Sequence, residues 1–411
     1  MTNETTMNHT AVEKVWNRYF ILLFSICVCS GICMQIFNSI AILYVKSLGG
    51  STAIAGIVVA MATLTSVIGA FFFGRLIDMK GRQQFILWGL IFMVMAVVAF
   101  KLLPFLAILP ILSLVQGAGN TASMIGMSAA VTDVVPKDRL GEGVGYFGLT
   151  QALTTAIGPS LGIALISENR FDSVFYVAAT VAGLGIICAL FCDYEKKGFG
   201  SFQKIQTVKE SSEAGEAAES GKEYAGIRKY IEVGALPAFI TQFLLFVSCT
   251  FNLSYIGFFA KDQGIENVWA FFTMSAIGML IARLFTSRLV DSVAPLKLLV
   301  PGLLIGGSSY IVLIFTPQFN QLIGASGMLY GLSLGIVTPV LNALAIWNSP
   351  ENRRGAASAT YSLSVTMGIG IGGLLLGILI DLIGFQFTLL ACVGLVGLSI
   401  LCSVYFFREK G

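Results

Sequence analysis

The sequence predicts an all-α integral membrane protein with twelve transmembrane helices arranged as two pseudo-symmetric six-helix bundles, and three observations carry that prediction. Hydrophobic residues make up 56% of the chain and charged residues only 11%, against about 25% charged in an ordinary soluble domain. Apolar stretches recur at the roughly 20-residue length that spans a bilayer. Residues of the second half also repeat those of the first at a fixed displacement. A soluble globule of 411 residues could not cover its surface with so few charges, which excludes that class. Abundant glycine (45) and phenylalanine (31) suit helices that pack closely and face lipid.

Taken in order, residues 1–18 form a polar tail. The first apolar run, 19–44, follows Glu13, Lys14 and Arg18 and is too long for a signal-peptide core, so it reads as a retained span. Further spans are predicted at 52–74, 84–103, 105–130, 144–167, 172–192, 233–259, 267–289, 294–315, 320–346, 356–380 and 384–407. The breaks between them hold polar and helix-breaking residues, as in Asp78 to Arg82 and Pro136 to Arg139. Hydrocarbon does not tolerate unpaired backbone groups, so such breaks belong at an interface or in a polar cavity. Residues 193–232 are the one long break; their mixture of Ser, Glu, Ala, Gly and Lys has no apolar period and reads as a flexible linker. It separates bundles at 19–192 and 233–407, and 408–411 is a short tail.

Orientation follows the basic residues. Of the 25 Lys and Arg, only Lys46, Lys101, Arg170 and Lys261 fall on the side opposite the N-terminus, with Arg283 inside a span. That imbalance predicts both termini in the cytoplasm.

The internal echo is specific. Displaced by 214 positions, Gly117 matches Gly331, Pro136 matches Pro350, Arg139 matches Arg353 and Gly158 matches Gly372; at 213, Asp78 matches Asp291. Shared turns and charges in corresponding hairpins argue for two related bundles.

Several residues suit a conformational gate. Gly74, Arg75, Asp78, Lys80, Gly81 and Arg82 lie in the break after the second span, with Asp133 near the end of span four and Glu142 near the start of span five. A partly buried ion pair is costly to break, so Asp78 and Arg82 are expected to tie helix ends in one conformation and release them in another, with Asp291 as the second-half counterpart. The bland alternative is a basic loop obeying orientation statistics. Gly158, Pro159 and Gly162 in span five combine a helix-kinking proline with two residues that admit a close neighbour; the alternatives are a moving seal and static packing.

The candidate binding residues are mostly uncharged. Gln35 and Asn38 share a face of span one, and Gln116 and Asn120 share one of span four. Gln151, Gln242, Asn252, Tyr255, Tyr330, Asn342 and Tyr361 add polar groups in spans five, seven, ten and eleven. Buried amides seek partners inside the bundle, so each residue is as readily a packing contact as a ligand contact. As a set they suit an amphipathic or uncharged polar substrate. Arg283 has three readings: contact with an anionic substrate, a structural partner, or snorkelling to the interface. No Asp or Glu falls in the middle of a predicted span.

No nucleotide-binding, metal-ligand or nucleophile-base pattern is present in the sequence, so no cofactor, no metal and no enzymatic activity are expected. The basic excess follows topology rather than a groove, which argues against nucleic acid.

The string Gly74-Arg75-Leu76-Ile77-Asp78-Met79-Lys80-Gly81-Arg82-Gln83 resembles the signature between the second and third helices of the major facilitator superfamily. Gly158-Pro159-Ser160-Leu161-Gly162 resembles the motif of that superfamily's exporters, with Thr154 and Ile163 at positions that are usually small or glycine. Ser113 stands three residues before Gln116-Gly117, where the family's span-four motif carries an arginine, so a proton role given to that arginine has no carrier here. Within the superfamily the chain is most similar to bacterial multidrug or small-metabolite efflux permeases. The resemblance implies secondary active export of a small organic compound by alternating access, with a proton as candidate coupling ion. Its alternative is an importer of a sugar, organic acid or related metabolite, or a facilitative uniporter. A monomer in a bacterial plasma membrane is the expected setting.

Overall fold

The computed structural model of the chain describes residues 15–136, 139–166, 171–195, 231–289, 293–350 and 353–408, with the side chains at 71, 74–75, 78–80, 140–142, 144–145, 152, 287–288 and 354–355 outside the description. The regular elements among these residues are helical. They are α1 (Arg18–Ser47), α2 (Thr52–Lys80), α3 (Arg82–Leu102), α4 (Leu109–Val134), α5 (Leu140–Ala164) and α6 (Asp172–Leu190), then α7 (Val233–Asp262), α8 (Val268–Leu289), α9 (Pro295–Phe315) and α10 (Leu322–Trp347). A last helical run, Arg354–Phe407, is broken at Gly384 into α11 (354–383) and α12 (385–407).

The chain is an all-α integral membrane protein. Nine stretches among the described residues are long and apolar enough to cross a membrane, the last of them containing both α11 and α12. Phe72, Leu102, Phe285, Leu382 and Tyr405 are exposed on the outside, a surface that water would penalise and hydrocarbon accepts.

Local chemistry sets the helix ends. Asn17 caps α1 by accepting from the Phe20 N–H, and Ser51 caps α2 by accepting from the Ile54 N–H. Two predicted boundaries are corrected. The second span continues well past residue 74, so Gly74 to Lys80 are its last turns rather than a loop, because nothing breaks the helix before Gly81, whose φ of 98° is one that only glycine adopts freely. The predicted break at 381–383 is likewise helical, and the chain turns instead at Gly384, φ 76°. Pro159 sits inside α5 without ending it. α7 contains a π-turn, Phe251–Tyr255, which no periodicity in the sequence signals.

Packing explains the internal echo. A Cβ on Gly117 of α4 would lie 2.0 Å from the Ala62 carbonyl oxygen of α2, and one on Gly331 of α10 would lie 1.9 Å from the Ser275 carbonyl oxygen of α8. A Cβ on Gly158 of α5 would lie 2.5 Å from the Gln35 Cβ of α1, and one on Gly372 of α11 would lie 2.6 Å from the Thr250 Oγ1 of α7. Each repeated glycine is therefore a helix-to-helix contact that recurs in the other half. α1 to α6 pack on one another, α7 to α12 do the same, and the two sets meet along α2–α11, α5–α8 and α1–α7.

The two ends of the helix bundle carry different contacts. The chain-end face holds the start of α1 beside the end of α4, where the Asn17 amide donates to the Val134 carbonyl at 2.9 Å, and the start of α7 beside the end of α10. The far face holds the start of α2 and the end of α11, which touch through Thr52 and Asp381.

Candidate functional site

α2 and α11 run side by side but are joined along only part of their length. Toward the far face they are zipped by small residues: a Cβ on Gly377 would lie 2.6 Å from the Thr52 carbonyl oxygen, one on Gly56 2.3 Å from the Gly373 carbonyl oxygen, and one on Gly370 2.2 Å from the Thr63 Oγ1. The Tyr255 hydroxyl of α7 donates to the same Gly373 carbonyl at 2.5 Å. Beyond Thr63 the helices part, and a cavity of about 720 Å³ fills the space between α1, α2, α4 and α11. Its wall includes Ser128, Ala129 and Thr132 from the last turns of α4 and Ser362 and Thr366 from the early turns of α11, so it extends toward the chain-end face. A side cleft of about 340 Å³ between Val67 of α2 and Ala359 and Leu363 of α11 shares Ser66, Ala70, Ser362 and Thr366 with it.

Among the described residues, none that lines the cavity is charged. Met34, Val59, Ala62, Met124, Ile125 and Ile369 give apolar surface, while Asn38, Asn120 and seven hydroxyl residues give polarity. Most of those hydroxyl protons are already committed: Thr63 donates to the Ala60 carbonyl (2.8 Å), Ser66 to Ala62 (3.0 Å), Thr121 to Gly117 (2.8 Å), Thr132 to Ala129 (2.7 Å) and Thr366 to Ser362 (3.3 Å). A hydroxyl has one proton and two lone pairs, so these five present acceptors, leaving Ser128, Ser362 and the two amides as donors. The wall is an apolar surface studded with hydrogen-bond acceptors.

Of the residues singled out from sequence for binding, Asn38 and Asn120 line this cavity. Gln35 stands behind Asn38, accepting from its amide at 3.4 Å and donating to Thr155 at 3.2 Å. Gln151 also reaches Thr155, at 3.5 Å. Gln116, Gln242 and Asn252 are buried off the cavity; Gln116 meets the Met34 sulfur at 3.7 Å, and the Gln242 and Asn252 amides have no hydrogen-bond partner among the described residues. Tyr330 stacks on Phe271 at 5.7 Å, Tyr361 donates to the Thr338 carbonyl at 2.8 Å, and the Asn342 carbonyl oxygen is buried. Arg283 donates to the Gly148 carbonyl of α5 at 3.3 Å, tying α8 to α5 across the two sets. The hydroxyl wall is not legible in the sequence, because Ser and Thr that back-bond to their own helix give no pattern distinct from packing.

Among the gate residues, Arg82 pairs with Asp133 and also donates to the Ala129 carbonyl at 3.1 Å, fastening the start of α3 to the end of α4. Gly81 has no side chain to cap α3, and Glu195 does so from beyond α6, accepting from the backbone N–H of Arg82 (2.6 Å) and Gln83 (3.1 Å). Burial, with the Glu195 carboxylate beside it, pushes the Tyr194 phenol above its ordinary range, so it stays protonated. In the other half, Glu232 at the start of α7 pairs with Arg353 at the start of α11. Neither pair crosses between the sets. Gly158 and Gly162 both contact α1, placing the Gly158-Pro159 turn within one set. The side chains of Gly74, Arg75, Asp78, Lys80 and Glu142 lie outside the description, and Asp291 lies outside the described residues.

Lipid-facing helices in two mutually packed sets, with a cavity sealed toward one face and reaching toward the other, define a multi-pass membrane transporter. The family described as Major Facilitator Superfamily matches residues 23–276 and 238–411. The chain belongs to the Major Facilitator Superfamily, and it is a transporter of small molecules rather than an enzyme. It is similar to the Staphylopine export protein of Staphylococcus aureus strain Mu50, 21% identical over 85% of this chain and 86% of the relative. It is also similar to the Multidrug resistance protein MdtG of Escherichia coli strain SMS-3-5, 26% identical over 96% of this chain and 94% of the relative. Its fold matches a POT family transporter in complex with 5-aminolevulinic acid, TM-score 0.75 at 15% identity, covering 96% of each chain. It also matches the nucleoside transporter NupG, TM-score 0.71 at 12% identity, covering 96% of this chain and 99% of the other.

Proposed function

We propose that the chain is a secondary active transporter for a small amphipathic compound bearing hydrogen-bond donors, moved by alternating exposure of the cavity between α2, α4 and α11. The observation that carries this is the acceptor-studded wall, uncharged among the described residues, beneath a zipped α2–α11 seam. An apolar site with a few fixed polar groups recognises an amphipathic ligand, and oxygens whose protons are committed to their own helices accept from it. The reading includes twelve spans in two six-helix bundles, 19–192 and 233–407, joined by a cytoplasmic linker at 193–232, with both termini and the cavity mouth on the cytoplasmic side and the far face outside. Asn38 and Asn120 are the proposed contacts carried over from sequence, with Gln35 positioning Asn38. Arg82 and Asp133 are proposed to keep the first bundle rigid while it moves.

Two directions of flux are supported by different observations. Relatives named for staphylopine export and multidrug resistance favour export; the uncharged polar wall suits uptake of a small metabolite equally well. A proton is the proposed coupling ion, without an assigned residue.

The test is flux in vesicles of known orientation, with pH and sodium gradients imposed separately. The panel pairs amine- or hydroxyl-bearing aromatic compounds with their fully alkylated counterparts. Saturable flux is expected for the donor-bearing member of each pair, at least about fivefold faster, since one hydrogen bond is worth roughly 1 kcal/mol. Equal rates across the pairs contradict the acceptor wall. No gradient-driven flux of any member contradicts the transport reading.

A further inference from the structure

We propose that Asp381 is the latch of the far-side gate, a carboxylate from the end of α11 that caps the first turn of α2 and positions the seam in its closed state. It rests on the alternating-access reading and assigns the residue that holds one of its states.

The hydrogen bonds of the α2 N-terminus show why. The first N–H groups of a helix have no partner inside it. Ser51 supplies one side-chain acceptor, to the Ile54 N–H at 3.2 Å, and its carbonyl takes the Ala55 N–H at 3.2 Å. The N–H groups of Thr52 and Ala53 are left, and both go to Asp381: Thr52 N–H to Oδ1 at 3.2 Å and Ala53 N–H to Oδ2 at 2.8 Å. The Thr52 hydroxyl donates to Oδ1 as well. The first turn of α2 is therefore fully paired only while the opposite half of the molecule sits against it.

The chemistry favours a carboxylate. Both oxygens are used at once, each by a backbone donor, and a negative charge at a helix N-terminus gains from the aligned peptide dipoles. Lys46 at the end of α1 adds a positive charge nearby. Asparagine has the same shape but offers an NH₂ group where the Ala53 or Thr52 N–H needs an acceptor. The latch lies at the outermost point of the glycine zipper, one turn beyond Gly377, whose place against Thr52 brings the two ends together. Asp381 is exposed on its other side, so water can take over its bonds and those of α2 when the seam opens. The exchange keeps the cost of release small enough for a cycling gate.

The experiment uses the full chain in oriented vesicles, its native cysteines replaced, with Val59→Cys as reporter. Val59 lies against Gly373 inside the seam and also lines the cavity, so a membrane-impermeant maleimide added from the far side reaches it only when the far gate opens. Asp381→Asn is expected to speed far-side labelling roughly tenfold and to slow labelling from the chain-end side. Thr52→Val, which removes the hydroxyl donor alone, should give about a two- to threefold increase, and the double variant little more than Asp381→Asn. Asp381→Glu should recover part of the wild-type rate. Unchanged far-side labelling in a folded Asp381→Asn chain overturns the latch; if that variant is not recovered in the membrane, Thr52→Val decides, and no change there overturns it too. Failure of the alternating-access reading looks different: the wild-type reporter is then never labelled from the far side under any condition.

Discussion

Gly56→Leu is expected to abolish transport while leaving the chain inserted and folded. A Cβ at this position would lie 2.3 Å from the Gly373 carbonyl oxygen, closer than any real contact allows, and the obstacle is backbone that Tyr255 holds by a hydrogen bond of 2.5 Å. It cannot swing aside as a side chain does. Overpacking of this kind costs about 1–3 kcal/mol. In the proposed cycle only the closed seam bears that cost, because opening the far side parts α2 and α11 there. The gate equilibrium should therefore shift roughly ten- to a hundredfold toward far-side opening, and a carrier held in one state does not cycle. Flux at equal membrane abundance should fall at least about tenfold. Gly394→Leu is the control, since nothing lies within 4 Å of its Cβ direction, and near-normal flux is expected from it.

Arg82→Gln should have the largest effect on stability. Arg82 and Asp133 expose only 15% and 10% of their side chains, and removing one member of a buried pair leaves the other charge unmatched at a cost of roughly 3–5 kcal/mol. The thermal unfolding midpoint in detergent should fall by several degrees. Both the Asp133 and the Ala129 contacts (3.1 Å to the latter) come from one guanidinium nitrogen, Nη1, so Arg82→Lys, whose ammonium also carries several donors on one nitrogen, should lose less than Arg82→Gln. Adding Asp133→Asn to Arg82→Gln should restore part of the loss by removing the orphaned charge. If the double variant is less stable than Arg82→Gln, Asp133 is held by something other than this pair.

Much of the architecture was legible in the sequence because hydrocarbon imposes long apolar runs and because glycine contacts recur. The pairs Gly117 with Gly331 and Gly158 with Gly372 could be read without coordinates, and each proved to be an equivalent helix crossing. The Arg82–Asp133 pair was within reach for the same reason: both charges flank short turns. The far ends of long-range bonds were not legible. Glu195 caps a helix that starts 113 residues earlier, and Asp381 one that starts 329 residues earlier; neither lies near an empty cap in the sequence. Polarity alone does not mark the cavity wall. Gln242 and Asn252 stand out in an apolar span yet are buried off the cavity, whereas Thr63, Thr121 and Thr366, which line it, look like ordinary helix residues. The extension of α2 through Lys80 went unread because its charges suggest a loop, while only the backbone at Gly81 ends the helix.

The proposed transport cycle requires the α2–α11 seam to be closed on one side of the cavity and able to open when the other side closes. The most direct measurement is labelling of Val59→Cys from each side of an oriented membrane, with and without a compound that shows saturable flux. Modification from the chain-end side alone is expected at rest, with a shift toward the far side once transport is running. Equal modification from both sides at rest, or a far side that stays unreactive throughout active flux, would contradict a gated seam.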